Sequence, residues 1–293
     1  MDIWHRLGRI IRISNLGTLI FFFLNITLFC IMIFPYGLTP VNISIVFTAY
    51  VCTVIISLSP IGEWVLAAFA GAKEIKRKDI KIRLIPLLEI VFERAKEKTP
   101  NMVNSLHLKI VHDSVPNAFA IGRKTICVTD GLLSLTDEEI MAVFAHEMGH
   151  LAYKHSAIQL LIGGGNIFIS GFLLIIKLVC WLITTILAAF AIGTRSLGSG
   201  IFVAIVGGLS SALIWLWTKF CMLFLMWSMR QNEYIADEYA FKLGFGETLA
   251  SVLDHHMCSA PDNGLLKALY ATHPHSDDRI ARLQELGSEY SRY

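Results

Sequence analysis

The sequence predicts a mainly α protein: four transmembrane helices in two hairpins, plus a cytoplasmic α+β domain with a small sheet, interrupted by the second hairpin. Three observations predict it. The chain is 55% hydrophobic and only 16% charged over 293 residues, against about 25% charged residues in an ordinary soluble domain. The apolar excess sits in long uncharged runs rather than being spread evenly. Between and after those runs, Lys73 to His155 and Arg230 to Tyr293 have soluble composition.

Leu16 to Phe34 is nineteen residues without a charge, and Val41 to Gly62 is a further twenty-two. Either run can cross a hydrocarbon core of about 30 Å at about 1.5 Å per residue. Pro35 to Pro40 between them supplies Pro and Gly as turn formers, so the pair reads as a hairpin. The first run is too long for a signal-peptide h-region and no small-residue cleavage site follows it. A second apolar block, Ala157 to Met229, is broken only by Lys177, Arg195 and Lys219, with Gly193 to Gly200 as its natural turn. Length alone allows two or three crossings there. Arg6, Arg9 and Arg12 precede the first span, six Lys/Arg between Lys73 and Arg83 follow the second, and the link is uncharged. That bias puts the N-terminus and the segment after residue 72 on the cytoplasmic side of a multi-pass protein of the cell membrane. The chain thus divides into a transmembrane hairpin (1–72), a first soluble part (73–156), a second hairpin (157–229) and a second soluble part (230–293).

Within the soluble parts, Ile80 to Lys98 has helical apolar spacing, with Pro86 as a start or kink. Leu106 to Val111, Ala118 to Ile121 and Thr125 to Thr129 read as strands, the last two joined by the turn Gly122-Arg123-Lys124. Thr136 and Glu139 form a capping box that opens a further helix. Net charge is +2, with no basic tract interleaved with aromatics, which excludes a nucleic-acid partner. Four of the six cysteines lie in apolar runs and no C-x-x-C pair occurs, so they read as reduced fillers.

The helix opened by Thr136 carries His146-Glu147-Met148-Gly149-His150. Histidines four apart project from one helix face and can share one metal ion, while Glu147 on the adjacent edge can hold the attacking water and take its proton. A hydrolytic zinc site wants three protein ligands and an open position. The short-spaced pattern with glycine and then a third histidine is excluded, because Tyr153 and Ser156 occupy those positions; His155 is off register by one and reads as a surface residue. The third ligand is better sought past the second hairpin, where Glu233 and Asp237 share a helix face with the small residues Ala236 and Ala240. Glu233 would bind the metal and Asp237 would accept the N–H of a ligand histidine. Glu233 must then lie on the same side of the membrane as His146, which selects two crossings over three.

Together these residues resemble the HtpX-type membrane zinc metalloproteases, relatives of the CAAX prenyl proteases. The resemblance covers nearly the whole chain and rests on the hairpin order, Asn117-Ala118-Phe119, His146 to His150, Glu233 to Asp237, and His273-Pro274 followed by Arg279. It implies a gluzincin-like fold and a zinc endopeptidase, with one Zn²⁺ per chain, that cuts membrane or misfolded proteins in quality control. It implies that Asn117, Ala118 and Phe119 lie on an edge strand that pairs with substrate, that His273 donates to the oxyanion, and that Arg279 orders Asp237 or the substrate. Without the resemblance, His273 reads as a capping or loop histidine and Arg279 as a solvated helix charge; His275 is a second choice for the oxyanion role. Three rival readings fit the residues less well. A prenyl-protein protease would need about seven spans, and a site-2-type protease would place H-E-x-x-H inside a span, whereas Asp137, Glu138, Glu139 and Lys154 flank it here. A catalytically silent zinc protein would need a fourth protein ligand to close its site.

Overall fold

The structure, a computed structural model, describes residues 15–34, 37, 39–155, 175, 178–179, 181–187, 189, 197–256 and 274–291. Its apolar part begins with α1 (Leu16–Ile33) and α2 (Pro40–Ser57), whose Phe22 and Tyr50 rings meet edge to face at 5.6 Å. The second expected span, Val41 to Gly62, is shorter than its apolar run. The helix ends at Ser57 and a new one, α3 (Pro60–Phe69), starts at Pro60 with Ser59 as its cap. The cause is local: Pro60 has no N–H to continue the ladder and is well suited to a first helical turn.

Long helix α6 (Leu197–Lys242) contains 46 residues, about 69 Å at the helical rise and so over twice a hydrocarbon core. Part of the turn expected at Gly193 to Gly200 is therefore helical from Leu197 onward; glycine is well tolerated in apolar helices. Among the described residues, Pro40–Ser57 and Gly207–Lys242 are long and apolar enough to cross a membrane, and Leu16–Leu28 is a shorter apolar stretch. Most of the first half of the expected second hairpin lies outside the described residues, with 181–187 helical. Helices α1 and α6 touch backbone to backbone. The Thr18 N–H donates to Ser228 Oγ at 3.0 Å, and a Cβ on Gly17 would fall 2.1 Å from the Phe224 carbonyl oxygen.

The water-compatible part is built on a four-stranded mixed sheet: β1 (Lys73–Glu74), β2 (His107–Val111), β3 (Ala118–Ile121) and β4 (Thr125–Thr129), in the order β1-β2-β4-β3. β2 and β4 run parallel, and the two outer pairs are antiparallel. Alternate residues face two apolar layers, as the strand period requires. Ile110, Ala118, Ile126 and Val128 enter the main core, while Ile121 and Cys127, with Val111 and Phe119, meet Ala67 of α3. β4 is buried along its whole length, and β3 forms one edge. The main core gathers α4 (Lys78–Lys98), α5 (Asp137–Ala152), α7 (Gly246–His255), α8 (Ser276–Glu285) and the last turns of α6. Pro86 lies inside α4 without ending it. Cys30, Cys52, Cys127 and Cys221 are free thiols.

Leu84 on α4 is fully buried and Ile82 is 75% exposed. Leu84→Ala is therefore expected to cost about 2–5 kcal/mol and Ile82→Ala less than about 0.5 kcal/mol, read as thermal unfolding of the two variants in one detergent.

Candidate functional site

The site begins with how α5 is started. Thr136 Oγ1 accepts the Glu139 N–H at 3.3 Å and the Glu139 carboxylate accepts the Thr136 N–H at 2.8 Å, the reciprocal capping box expected from the sequence. Arg83 of α4 fixes the same end, donating to Asp137 at 2.8 Å and to the Leu133 and Leu135 carbonyls at 2.7 and 2.6 Å. From there α5 runs into the core, and His146 to His150 are all buried. The glycine inside the motif has a packing task. A Cβ on Gly149 would lie 2.7 Å from Ala236 Cα, so α5 and α6 touch at a distance that only glycine against alanine allows. Glu233 and Asp237 flank Ala236 and are thereby brought over the two imidazoles.

The side chains converge through specific atoms. His146 Nε2 and His150 Nε2 are 3.2 Å apart, and Glu233 reaches them at 3.7 and 3.3 Å. One donor atom from each of His146, His150 and Glu233 lies within 4.8 Å of the others, and all three residues are buried. The opposite ring nitrogens are occupied. His146 Nδ1 is 2.8 Å from Asp237 Oδ1, so a proton on Nδ1 donates there and leaves Nε2 as a lone-pair donor. Arg279 holds Asp237 in turn, with Nε to Oδ2 at 2.8 Å and Nη2 to Oδ1 at 2.6 Å, and its Nη1 is 3.3 Å from Glu233. With Nδ1 protonated, the 3.3 Å approach of Nη2 to His146 is a packing contact rather than a hydrogen bond.

Electrostatics follow from this packing. Burial pushes the Asp237 carboxyl upward, but the charge and hydrogen bonds of Arg279 and the contact with His146 outweigh it, and its pKa falls below the ordinary carboxylate value. Burial acts oppositely on Arg279, where Asp237 and then Glu233 prevail and raise it. Glu147 is raised, chiefly by burial, against the opposing pull of both imidazoles and a hydrogen bond from the Ala120 backbone. Burial lowers His150, yet Glu233 overrides it and the net direction is up. The cluster therefore attracts positive charge. Glu147 and Glu233 add two acidic groups to the Asp237–Arg279 pair, and burial makes a nearby cation favourable to them. Two imidazole nitrogens and one carboxylate oxygen form a donor set that suits a divalent metal.

His155 corrects the reading that put it on the surface. It is only 2% exposed, its Nδ1 lies 3.2 Å from His150 Nδ1, and its ring stacks on Tyr153 at 5.7 Å. Five residues on from His150 is off a helical face, which is why spacing rejected it. The helix, however, ends at Ala152, and Lys154 takes a left-handed conformation (φ 62°) that folds the chain back. No periodicity signals such a reversal. His155 thus holds the second nitrogen of His150 as Asp237 holds that of His146, with a neutral ring in place of a carboxylate.

Ala118 and Phe119 are on edge strand β3 and Asn117 immediately precedes it, its backbone tied to Thr129 through the Asn117 N–H to Thr129 Oγ1 at 2.9 Å and the Thr129 N–H to the Asn117 carbonyl at 3.0 Å. Since Asn117 pairs with Thr129 in this way, alternation along an antiparallel pair turns the N–H and C=O of Ala118 and Ala120 away from β4. His275 caps α8, its Nδ1 accepting the Asp277 N–H at 3.3 Å, which assigns that ring to its own helix. His273 lies outside the described residues.

Comparison with known proteins agrees with this geometry. The model of peptidase family M48 matches residues 87–287. A protease HtpX homologue of Halobacterium salinarum is 25% identical over 312 aligned residues, spanning 92% of this chain and 98% of that protein. An HtpX homologue of Neisseria meningitidis is 30% identical over 219 residues, 68% of this chain and 72% of that protein. The crystal structure of S. mikatae Ste24p superposes with a TM-score of 0.51 at 17% identity. That match covers 95% of this chain and 64% of the longer Ste24p chain, a likeness of fold.

Two outcomes are expected. Gly149→Ala forces α5 from α6, so metal content measured by mass spectrometry falls well below one per chain while the same substitution at exposed Gly208 leaves it intact. Asp237→Asn weakens metal affinity by about 10–100-fold in a chelator competition, and His155→Phe weakens it less, because a neutral acceptor polarises its partner less than a carboxylate does.

Proposed function

We propose that this chain, which belongs to peptidase family M48, is a zinc-dependent endopeptidase working at the cytoplasmic face of a membrane, on membrane or misfolded proteins. The observation that carries the reading is the buried convergence of His146, His150 and Glu233. Those three residues would hold the ion. When bound, zinc would polarise a scissile carbonyl and acidify a coordinated water.

The chain's own residues supply the rest. Glu147, beside the cluster, would accept a hydrogen bond from the attacking water, take its proton and deliver that proton to the leaving amine nitrogen. Burial, which raises its pKa, suits a group that must hold a proton between those two events. The outward N–H and C=O of Ala118 and the outward C=O of Ala120 would pair with an extended substrate as an added strand, next to Asn117 and Phe119, while the Ala120 N–H is held by Glu147. The Asp237–Arg279 pair would keep the His146 ring in its donor tautomer, and His273 would donate to the developing oxyanion, an interaction worth about 2.7–4 kcal/mol.

The membrane setting is supported by the two apolar helices long enough to cross and by the shorter α1. Four crossings, with 1–72 and 157–229 as hairpins and 73–156 and 230–293 as the catalytic halves, put Glu233 and His146 on one side. The Lys/Arg bias around Lys73 to Arg83 makes that side cytoplasmic.

Glu147→Gln keeps the shape of the side chain and the three ligands. It is expected to retain one metal per chain and to lose about 10²–10⁴ in the rate of casein cleavage. Wild-type cleavage by that variant would remove Glu147 from the reaction.

A further inference from the structure

Helix α3 has ten residues, about 15 Å at the helical rise and half the length needed to span a bilayer. Its two faces are unlike those of a water-exposed helix. Inward, Ala67 packs on Ile121 of β3 and Cys127 of β4. Its single charged residue, Glu63, also turns inward, where the carboxylate accepts the Arg123 backbone N–H in the β3–β4 turn. Gly122 in that turn sits at φ 62°, and a Cβ there would strike the Glu63 side chain. Outward, the helix presents Ile61, Trp64 and Phe69, 64%, 67% and 83% exposed, and no charge. Three large apolar side chains on one short helix, with its one carboxylate held by the β3–β4 turn, call for an apolar cover.

What covers them is indicated by position and charge. Only Leu58 and Ser59 separate α3 from α2, so α3 starts where an apolar helix of spanning length stops. An indole at that depth favours the headgroup layer, and Trp with Phe is the usual apolar face of a helix lying in the interface plane. Immediately downstream, Lys73, Lys76, Lys78 and Lys81 are exposed, a cationic cluster that complements anionic lipid.

Resting on the reading of β3 as the substrate-binding edge, we propose that α3 lies in the headgroup layer of an anionic bilayer, with Ile61, Trp64 and Phe69 immersed, and holds β3 at a fixed depth against that surface. The linkage is short. Glu63 and Ala67 grip the turn and Ile121, and the next residue back, Ala120, hydrogen-bonds Glu147 through its backbone. Lipid-seated helix and general base are thus joined across about two strand residues, about 7 Å. Substrates would be cut where the chain emerges from the bilayer, and a peptide free in solution would gain nothing from α3.

The test uses full-length protein, its native cysteines replaced, in vesicles of phosphatidylcholine and phosphatidylglycerol. Nitroxides are attached in turn at Ile61→Cys, Trp64→Cys, Phe69→Cys and Lys76→Cys, and accessibility to oxygen and to a water-soluble nickel chelate is read by power saturation. The three α3 labels are expected to favour oxygen and the Lys76 label to favour nickel. Nickel-accessible labels on α3 overturn the assignment; labels shielded from both reagents also overturn it, because a protein surface then covers the helix. In the second arm, Trp64→Gln with Phe69→Gln is expected to lower cleavage of a lipid-anchored peptide by at least tenfold while cleavage of the same peptide without its anchor changes less than twofold. Equal losses on both peptides overturn the coupling to β3. If the wild-type protein cuts neither peptide, the proteolytic reading fails, and the nitroxide depths still decide where α3 sits.

Discussion

The close crossing of α5 and α6 at Gly149 and Ala236 is the constraint on which the site depends. Two helices can bring ligands to a common point only if their axes approach closely there, and a Cβ on Gly149 leaves no room for that. At the crossing the chain buries His146, His150, Glu147, Glu233, Asp237 and Arg279 together. Burying charges is costly unless each is matched. Asp237 and Arg279 match each other through two hydrogen bonds, and Arg279 also reaches Glu233 at 3.3 Å. The arrangement is therefore a stable core element only as a set, and each member's position is over-determined by its neighbours.

Around that point the fold divides its tasks. The Thr136 capping box and the Arg83 contacts start α5 at a defined place, which sets the rotational phase at which His146 and His150 emerge. Lys154 reverses the chain so that His155 closes the far side of His150. β3 offers an open backbone edge next to Glu147, and α3 clamps the far end of that strand from the opposite sheet face. The two halves that make the site are separated in sequence by an apolar insertion, yet α6 carries both the last of that insertion and the residues that reach the metal cluster. A single continuous helix is a stiff way to transmit position from an apolar layer to a polar site. Its contact with α1 at Gly17 and Ser228 fixes that lever further.

Much of this was legible in the amino-acid sequence because it is local. Hydrophobic runs, strand alternation from Ala118 to Thr129, the capping box and the four-residue spacings of His146/His150 and Glu233/Asp237 each encode a structure within one or two turns, where physics acts through neighbouring residues. The β3–β4 turn and three of the strands lie where those patterns put them. What the sequence by itself determined was the set of groups available for chemistry and the faces on which they lie. Tertiary structure alone decided that Arg279 is buried against Asp237, that the second apolar span breaks at Pro60 into a helix clamped on the sheet, and that His155 returns to His150. Those depend on contacts between residues up to 60 positions apart or on one left-handed residue. Neither leaves a periodic trace, because side chains distant in sequence impose no spacing rule on one another.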